Sequence, residues 1–270
     1  MSKAVKSSIL NIHVIPLLLL FLFVSRCGMS CMASSKQEYY QIRIYIYSNK
    51  LQEDRLDNFL KDAYLPALHS AGISKAGVFK PIESDTAYGK RIYVLIPFKS
   101  MDQFLKLPAL LEKDQVYKDR GKDYLDAKFN DPPYDRMESI ILKAFADMPE
   151  LLLPQHSTPP RERIYELRNY MSSTEKLLTK KIHMFNQGGV IKLFEKHKFN
   201  AVFCGKVISG NKMPNLMYMT TFADKTAREE HWSDFRTDSD WKALSGLAEY
   251  QNTTSKSQTF FLYPTDYSDI

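Results

Sequence analysis

The sequence predicts an α+β protein: two tandem β-α-β-β-α-β units, each ferredoxin-like, packed sheet to sheet as a barrel. Three observations lead there. First, blocks recur in order. Tyr40-Gln-Ile-Arg43-Ile-Tyr45 returns as Tyr165-Glu-Leu-Arg168-Asn-Tyr170, and Ser100-Met-Asp-Gln-Phe104 returns as Asp224-Lys-Thr-Ala-Arg228. Asp114-Gln-Val-Tyr117 returns as Asp238-Ser-Asp-Trp241, and the strand at Ser139 returns at Thr259. This spacing is far longer than the ~20–50 residues of a solenoid repeat, so a whole small domain is duplicated. Second, within each unit the hydrophobic period switches between two and 3.6 in the order strand, helix, strand, strand, helix, strand. Third, an antiparallel sheet with helices on one face must bury its other face, and the second copy is the obvious cover.

The elements follow in chain order. Tyr39–Tyr47 alternates, with Ile42, Ile44 and Ile46 on one side and Gln41, Arg43, Tyr45 and Tyr47 on the other, as a strand does. Leu56, Phe59, Leu60, Tyr64, Leu65 and Leu68 recur at helical spacing, and Gly72 supplies a stop. Strands follow at 76–79 and 91–98. Ser100 is an N-cap with Gln103 at the capping-box position, and Pro108 should kink or split the helix behind it. Ser139–Phe145 closes the unit. The second unit repeats the set: a strand at 164–170, a helix across 177–197 broken at Gly188-Gly189, strands at 202–208 and 216–222, a helix capped by Asp224, and a closing strand at 259–263. Between the units, 147–161 carries four prolines and reads as a linker. The boundaries are therefore 37–146 and 162–264, with a tail at 265–270.

Composition narrows the class. The chain has 270 residues, 44% hydrophobic and 25% charged, as globular proteins do. The formal charge is +6, but Lys3, Lys6 and Arg26 lie in the N-terminal stretch, and the remainder carries only +3. No basic run interleaved with aromatics points to nucleic acid. Residues 1–33 have a charged start, an apolar core from Val14 to Val24 and small residues after it, the pattern of a secretory signal. That core falls short of the ~20 residues that span a bilayer. Gly28-Met-Ser30 before Cys31 is a relaxed lipobox, so Cys31 is a candidate lipidation site. The expected location is therefore periplasmic or secreted, with a lipid anchor as an alternative. Cys204 is the one cysteine of the folded part, which leaves neither a disulfide framework nor metal spacing.

The second unit resembles the NIPSNAP family. Tyr165-Glu-Leu-Arg168-Asn-Tyr170 is similar to its opening motif, Met213–Phe222 to its third strand, and Arg228 with Phe235-Arg-Thr-Asp238-Ser-Asp-Trp241 to its second helix. Ser239 stands where the family usually has proline, and Tyr117 takes the Trp place in the first unit. The resemblance implies a dimeric α/β-barrel fold, here formed as a pseudo-dimer within one chain. That fold is shared by cofactor-independent monooxygenases, haem proteins and small-molecule isomerases, so it does not choose a chemistry.

Candidate site residues come from the strand alternation. If Ile42, Ile44 and Ile46 pack under the helices, then Arg43 and Tyr45 face the barrel interior, together with Glu166, Arg168, Tyr170 and Tyr218 in the second unit. Buried charge must be paired or serve a ligand. The competing reading is an internal Arg–Glu–Tyr network that only fixes strand pairing. The functional reading is a pocket for a small carboxylated or phenolic ligand. His183 and His231 are candidate ligands if haem binds. Asp238 is read as a helix cap, with Trp241 packing the domain. No nucleophile triad, phosphate loop or His-Glu-x-x-His pattern is present. A small-molecule-binding barrel ranks first, ahead of a cofactor-free oxygenase or isomerase, a haem protein and an interaction module. The chain is expected to be a monomeric pseudo-dimer or a homodimer.

Overall fold

In the first half, β1 (Tyr39–Ile46) lies between β3 (Arg91–Phe98) and β4 (Arg136–Ala144), and β3 also pairs with β2 (Gly77–Pro81). The computed structural model describes residues 36–270 together with Met1. The expected leader and Cys31 lie outside the described residues. In the second half, β5 (Ile164–Met171) sits between β7 (Asn215–Phe222) and β8 (Lys256–Pro264), and β7 also pairs with β6 (Ala201–Ser209). Edges then meet. β2 pairs with β8, β4 pairs with β6, and the eight strands close into one antiparallel barrel. Closure removes the exposed strand edges, and no second chain is needed to complete it.

The helices lie outside the barrel. In the first half these are α1 (Lys50–Phe59) and α2 (Leu65–Ser70), joined by a wider π turn at Leu60–Tyr64, then α3 (Met101–Leu111), α4 (Gln115–Arg120) and α5 (Lys122–Leu125). In the second half they are α6 (Glu175–Phe185), α7 (Val190–Lys196), α8 (Lys225–Thr237) and α9 (Ser239–Gly246). Their starts are set by side chains that accept from the first free backbone amides: Asn49, Ser100, Asp114, Thr174, Asp224 and Asp238. Pro108 is accommodated within α3, which runs through it as one helix. Gly188 and Gly189 do break the helix expected across 177–197. A Cβ on Gly188 would stand 2.5 Å from the Met184 carbonyl oxygen, and Gly189 has φ of 91°. Only glycine meets both demands cheaply.

The strand faces are the reverse of the expectation. Tyr40, Ile42 and Ile44 point into the barrel, with Tyr93, Leu95, Leu142, Tyr165, Leu167, Phe203, Met217, Met219 and Leu262. Tyr45 and Tyr47 lie under the helices of the first half, among Leu56, Phe59, Leu60 and Tyr64. Both faces of the sheet are buried, so alternation shows that a strand exists without saying which face meets the helices. The barrel interior takes aliphatic side chains and rings, Tyr40, Tyr93 and Tyr165 among them. The sheet–helix layer opens at its rim and tolerates the polar ones.

The linker and the tail are part of the packing. Leu151 donates its amide to Glu38 at 2.8 Å and Leu152 donates to the Val202 carbonyl at 2.9 Å. Ser268 and Asp269 accept from the amides of Val78 and Ala76, each at 2.9 Å. Leu151 and Ile270 both belong to the barrel core, where they plug the end at which β1 and β2 begin.

Candidate functional site

The charged residues of β5 converge beneath α8. Glu166 is fully buried and accepts four hydrogen bonds: from Arg168 Nε at 2.6 Å, Arg228 Nε at 2.8 Å, Arg228 Nη2 at 3.0 Å and Trp232 Nε1 at 2.9 Å. Burial would raise its pKa, but the Arg228 hydrogen bond, the two guanidinium charges and the indole outweigh it and hold the carboxyl below its usual range. Arg168 lies over Trp232, with its guanidinium carbon 4.1 Å from the ring centre. The arrangement follows from the chain: Asp224 caps α8, and Arg228 and Trp232, one helical turn apart, both face β5.

Arg168 passes the network on. Its Nη1 donates to the Tyr170 hydroxyl at 3.0 Å, and the Tyr218 hydroxyl donates to the same oxygen at 2.9 Å. Burial pushes the Tyr218 phenol well above its ordinary pKa. Tyr170 thus accepts twice and keeps its own hydrogen for a further partner.

That hydroxyl borders a pocket of about 280 Å³ between the sheet and the helices of the second half. Phe185 and Lys181 come from α6, Val190 and Phe194 from α7, Trp232 and Phe235 from α8, and Trp241 from α9. The glycine break positions α7 here. Thr254 and Ser257 stand on the remaining side, and the Thr254 hydroxyl is buried with no hydrogen-bond partner. A larger groove of about 830 Å³ follows the linker, and a cleft of about 440 Å³ lies beside Tyr47 and Arg91. Among the described residues, neither is lined by a buried polar side-chain atom lacking a partner. The smaller cavity is therefore the one with unspent hydrogen-bonding capacity.

The first half lacks this arrangement. Gln41 stands for Glu166, and Phe104 and Pro108 stand four and eight residues past the helix cap where the second half has Arg228 and Trp232. Arg43 bonds Gln41 at 3.1 Å and lies 4.9 Å over the Tyr64 ring. Phe59 stacks on Tyr124 at 3.7 Å between ring centres, and Tyr134 closes on Tyr45 at 5.5 Å. Rings fill the space that the second half leaves open.

The expected site residues are thus gathered, but not where the alternation put them. Glu166, Arg168, Tyr170 and Tyr218 are brought together in the sheet–helix layer instead of the barrel interior, and Arg43 and Tyr45 occupy the matching layer of the other half. His183 is exposed and bonds the Tyr250 hydroxyl at 2.8 Å, while His231 packs 5.8 Å from the Phe222 ring. Neither imidazole lines the pocket, so the histidines do not fit an axial haem role there. Lys181 and Thr254 escaped the sequence reading because neither belongs to a motif. Among the described residues, no group of three or more His, Cys, Asp or Glu could hold a metal, and no helix is long and apolar enough to cross a membrane.

Residues 165–269 match the NIPSNAP family model. The match covers the second half of the chain. The pocket, the Glu166 network and both tryptophans fall inside the matched residues. Two solved structures resemble the whole barrel. A candidate monooxygenase from Lactobacillus acidophilus shares 9% identity with a TM-score of 0.56, covering 84% of this chain and 94% of its own. A second candidate monooxygenase, from Fusobacterium nucleatum, shares 11% identity with a TM-score of 0.50, covering 85% and 93%. At such identities the likeness is one of fold. A NIPSNAP-like domain protein from Burkholderia xenovorans aligns over 40% of this chain and 90% of its own, at 15% identity and a TM-score of 0.37. A comparison with curated protein sequences finds no match.

Proposed function

We propose that the protein binds a small molecule in the sheet–helix pocket of the half that matches the NIPSNAP family. The observation that carries this is the contrast between the halves: aromatic side chains fill one layer and line an open cavity in the other, beside the buried Thr254 hydroxyl and the remaining hydrogen of Tyr170. Ligand pockets have this character, mostly apolar with few placed polar groups. Ser257 is exposed at the rim, so Ser257→Trp should stopper the mouth without disturbing the core. Native mass spectrometry of the wild type and of this variant, purified without added ligand, tests the reading. A retained small mass, lost on denaturation, is expected in the wild type and absent from Ser257→Trp. Retention of the same mass by the variant would move the ligand elsewhere. The leader pattern supports an exported protein, which fractionation of the host cell checks.

One observation favours a second reading, an enzyme of the oxygenase or isomerase kind. A phenol that accepts from a guanidinium and from another phenol suits proton transfer to or from an oxygen of a bound ligand, because those donors also stabilise the phenolate. Tyr170→Phe separates the two. Loss of turnover with binding retained supports catalysis, and unchanged turnover counts against it.

A further inference from the structure

The pocket holds a cation with no counter-charge. Lys181 comes from α6, and its Nζ lies 5.6 Å from the Tyr170 ring centre and 5.9 Å from that of Phe185. Its polar contact is the Met184 sulfur at 3.6 Å, a weak acceptor. Burial lowers its pKa, and no neighbouring carboxylate opposes that. The carboxylate nearest in the network, Glu166, is already shared by two guanidiniums. Glu229, which also contacts Arg228, is exposed.

The polar groups that remain free can all donate. Lys181 offers ammonium protons, Thr254 an unspent hydroxyl, and Tyr170 the hydrogen left after it has accepted twice. Ser257 adds a hydroxyl at the rim, while Trp232 Nε1 is spent on Glu166. Among the described residues no carboxylate lines the cavity, so a cationic ligand would find no counter-charge there and would meet the charge of Lys181. A carboxylate, which only accepts, would satisfy the donors and restore the missing charge. The remainder of the wall is ring surface, from Phe185, Phe194, Trp232 and Phe235, and ring faces suit flat apolar bodies.

We infer that the pocket selects flat aromatic carboxylates, with Lys181 as the anchor for the carboxylate. This rests on the pocket being a ligand site and adds the charge of its ligand. The probes are 2-naphthoate and its neutral near-isostere 2-naphthamide, titrated calorimetrically into the full chain, with Lys181→Met, Lys181→Arg and Ser257→Trp in parallel. The acid should bind the wild type at least about tenfold more tightly than the amide, the scale of one hydrogen bond to a charged group. Lys181→Met should abolish that preference by weakening the acid alone, and Lys181→Arg should keep most of it. Ser257→Trp should weaken both probes. Equal affinities for acid and amide in the wild type would overturn the inference and leave the pocket standing, as would a preference that survives in a folded Lys181→Met. Failure of both probes to bind at millimolar concentration would count against the pocket itself and so against the anchor.

Discussion

Replacing Glu166 with glutamine keeps the shape of the side chain and removes its charge. Four donors now converge on two acceptor oxygens. After the change one oxygen remains, and an amide group points its own hydrogens at two guanidiniums. Arg168 and Arg228 are left half-buried without a counter-charge, apart from exposed Glu229. Breaking one partner of a buried ion pair typically costs about 3–5 kcal/mol. With a urea m-value near 3 kcal/mol/M, the unfolding midpoint falls by about 1–1.7 M. The chain has two tryptophans, and both line the pocket, so their fluorescence reports on this half. The sign of the pH effect follows from the depressed Glu166 pKa. Its contribution is fully present above the unfolded carboxyl value of about 4.3 and is lost as pH falls through the lower folded value. The wild type should therefore lose more stability than Glu166→Gln between pH 5 and pH 2, bounds of about that carboxylate window. A midpoint shift under about 0.3 M at pH 7 would refute the network as a source of stability.

Three further outcomes follow from the packing. Phe59→Ala removes the ring that plugs the first half and should cost about 3–5 kcal/mol, measured by thermal melting, while binding in the second half persists. Gly77→Ala drives a Cβ to 2.5 Å from the Phe79 ring and 2.8 Å from Ile270; overpacking of this kind costs about 1–3 kcal/mol, again read from the melt. Burial and the charge of Arg163 lower the His156 pKa. The fold therefore favours neutral imidazole, and stability falls as pH drops below the unfolded value of about 6.5. His156→Asn should flatten that slope between about pH 7 and 5 in denaturation midpoints.

The architecture was legible because a duplicated pattern repeats its own evidence. Ser100 and Asp224 announce equivalent helices, Gly188-Gly189 announces a break, and the two central strands alternate alike. The face each strand turns inward was not legible. Ile42 and Arg43 are both covered, one by the opposite sheet and the other by helices, and periodicity carries no sign for that choice. The members of the site were mostly visible, since Glu166, Arg168 and Tyr170 stand in one strand. Tyr218 was found as well, opposite Arg168 in the ladder. Lys181 was hidden among Lys176 and Lys180 on the same helix, and only the fold distinguishes the lysine that turns inward. The absence of this site from the first half was hidden too. It depends on Phe59, Tyr124 and Tyr134 arriving from three separate segments.

The most direct test of the central claim is a crystal structure of the protein with 2-naphthoate bound. The account predicts density for the ligand between the helices and β5–β7 of the second half, with its carboxylate at Lys181 and the barrel interior unchanged. Density inside the barrel among Tyr40, Leu95 and Met219, or between Tyr45 and Tyr124 in the first half, would contradict it.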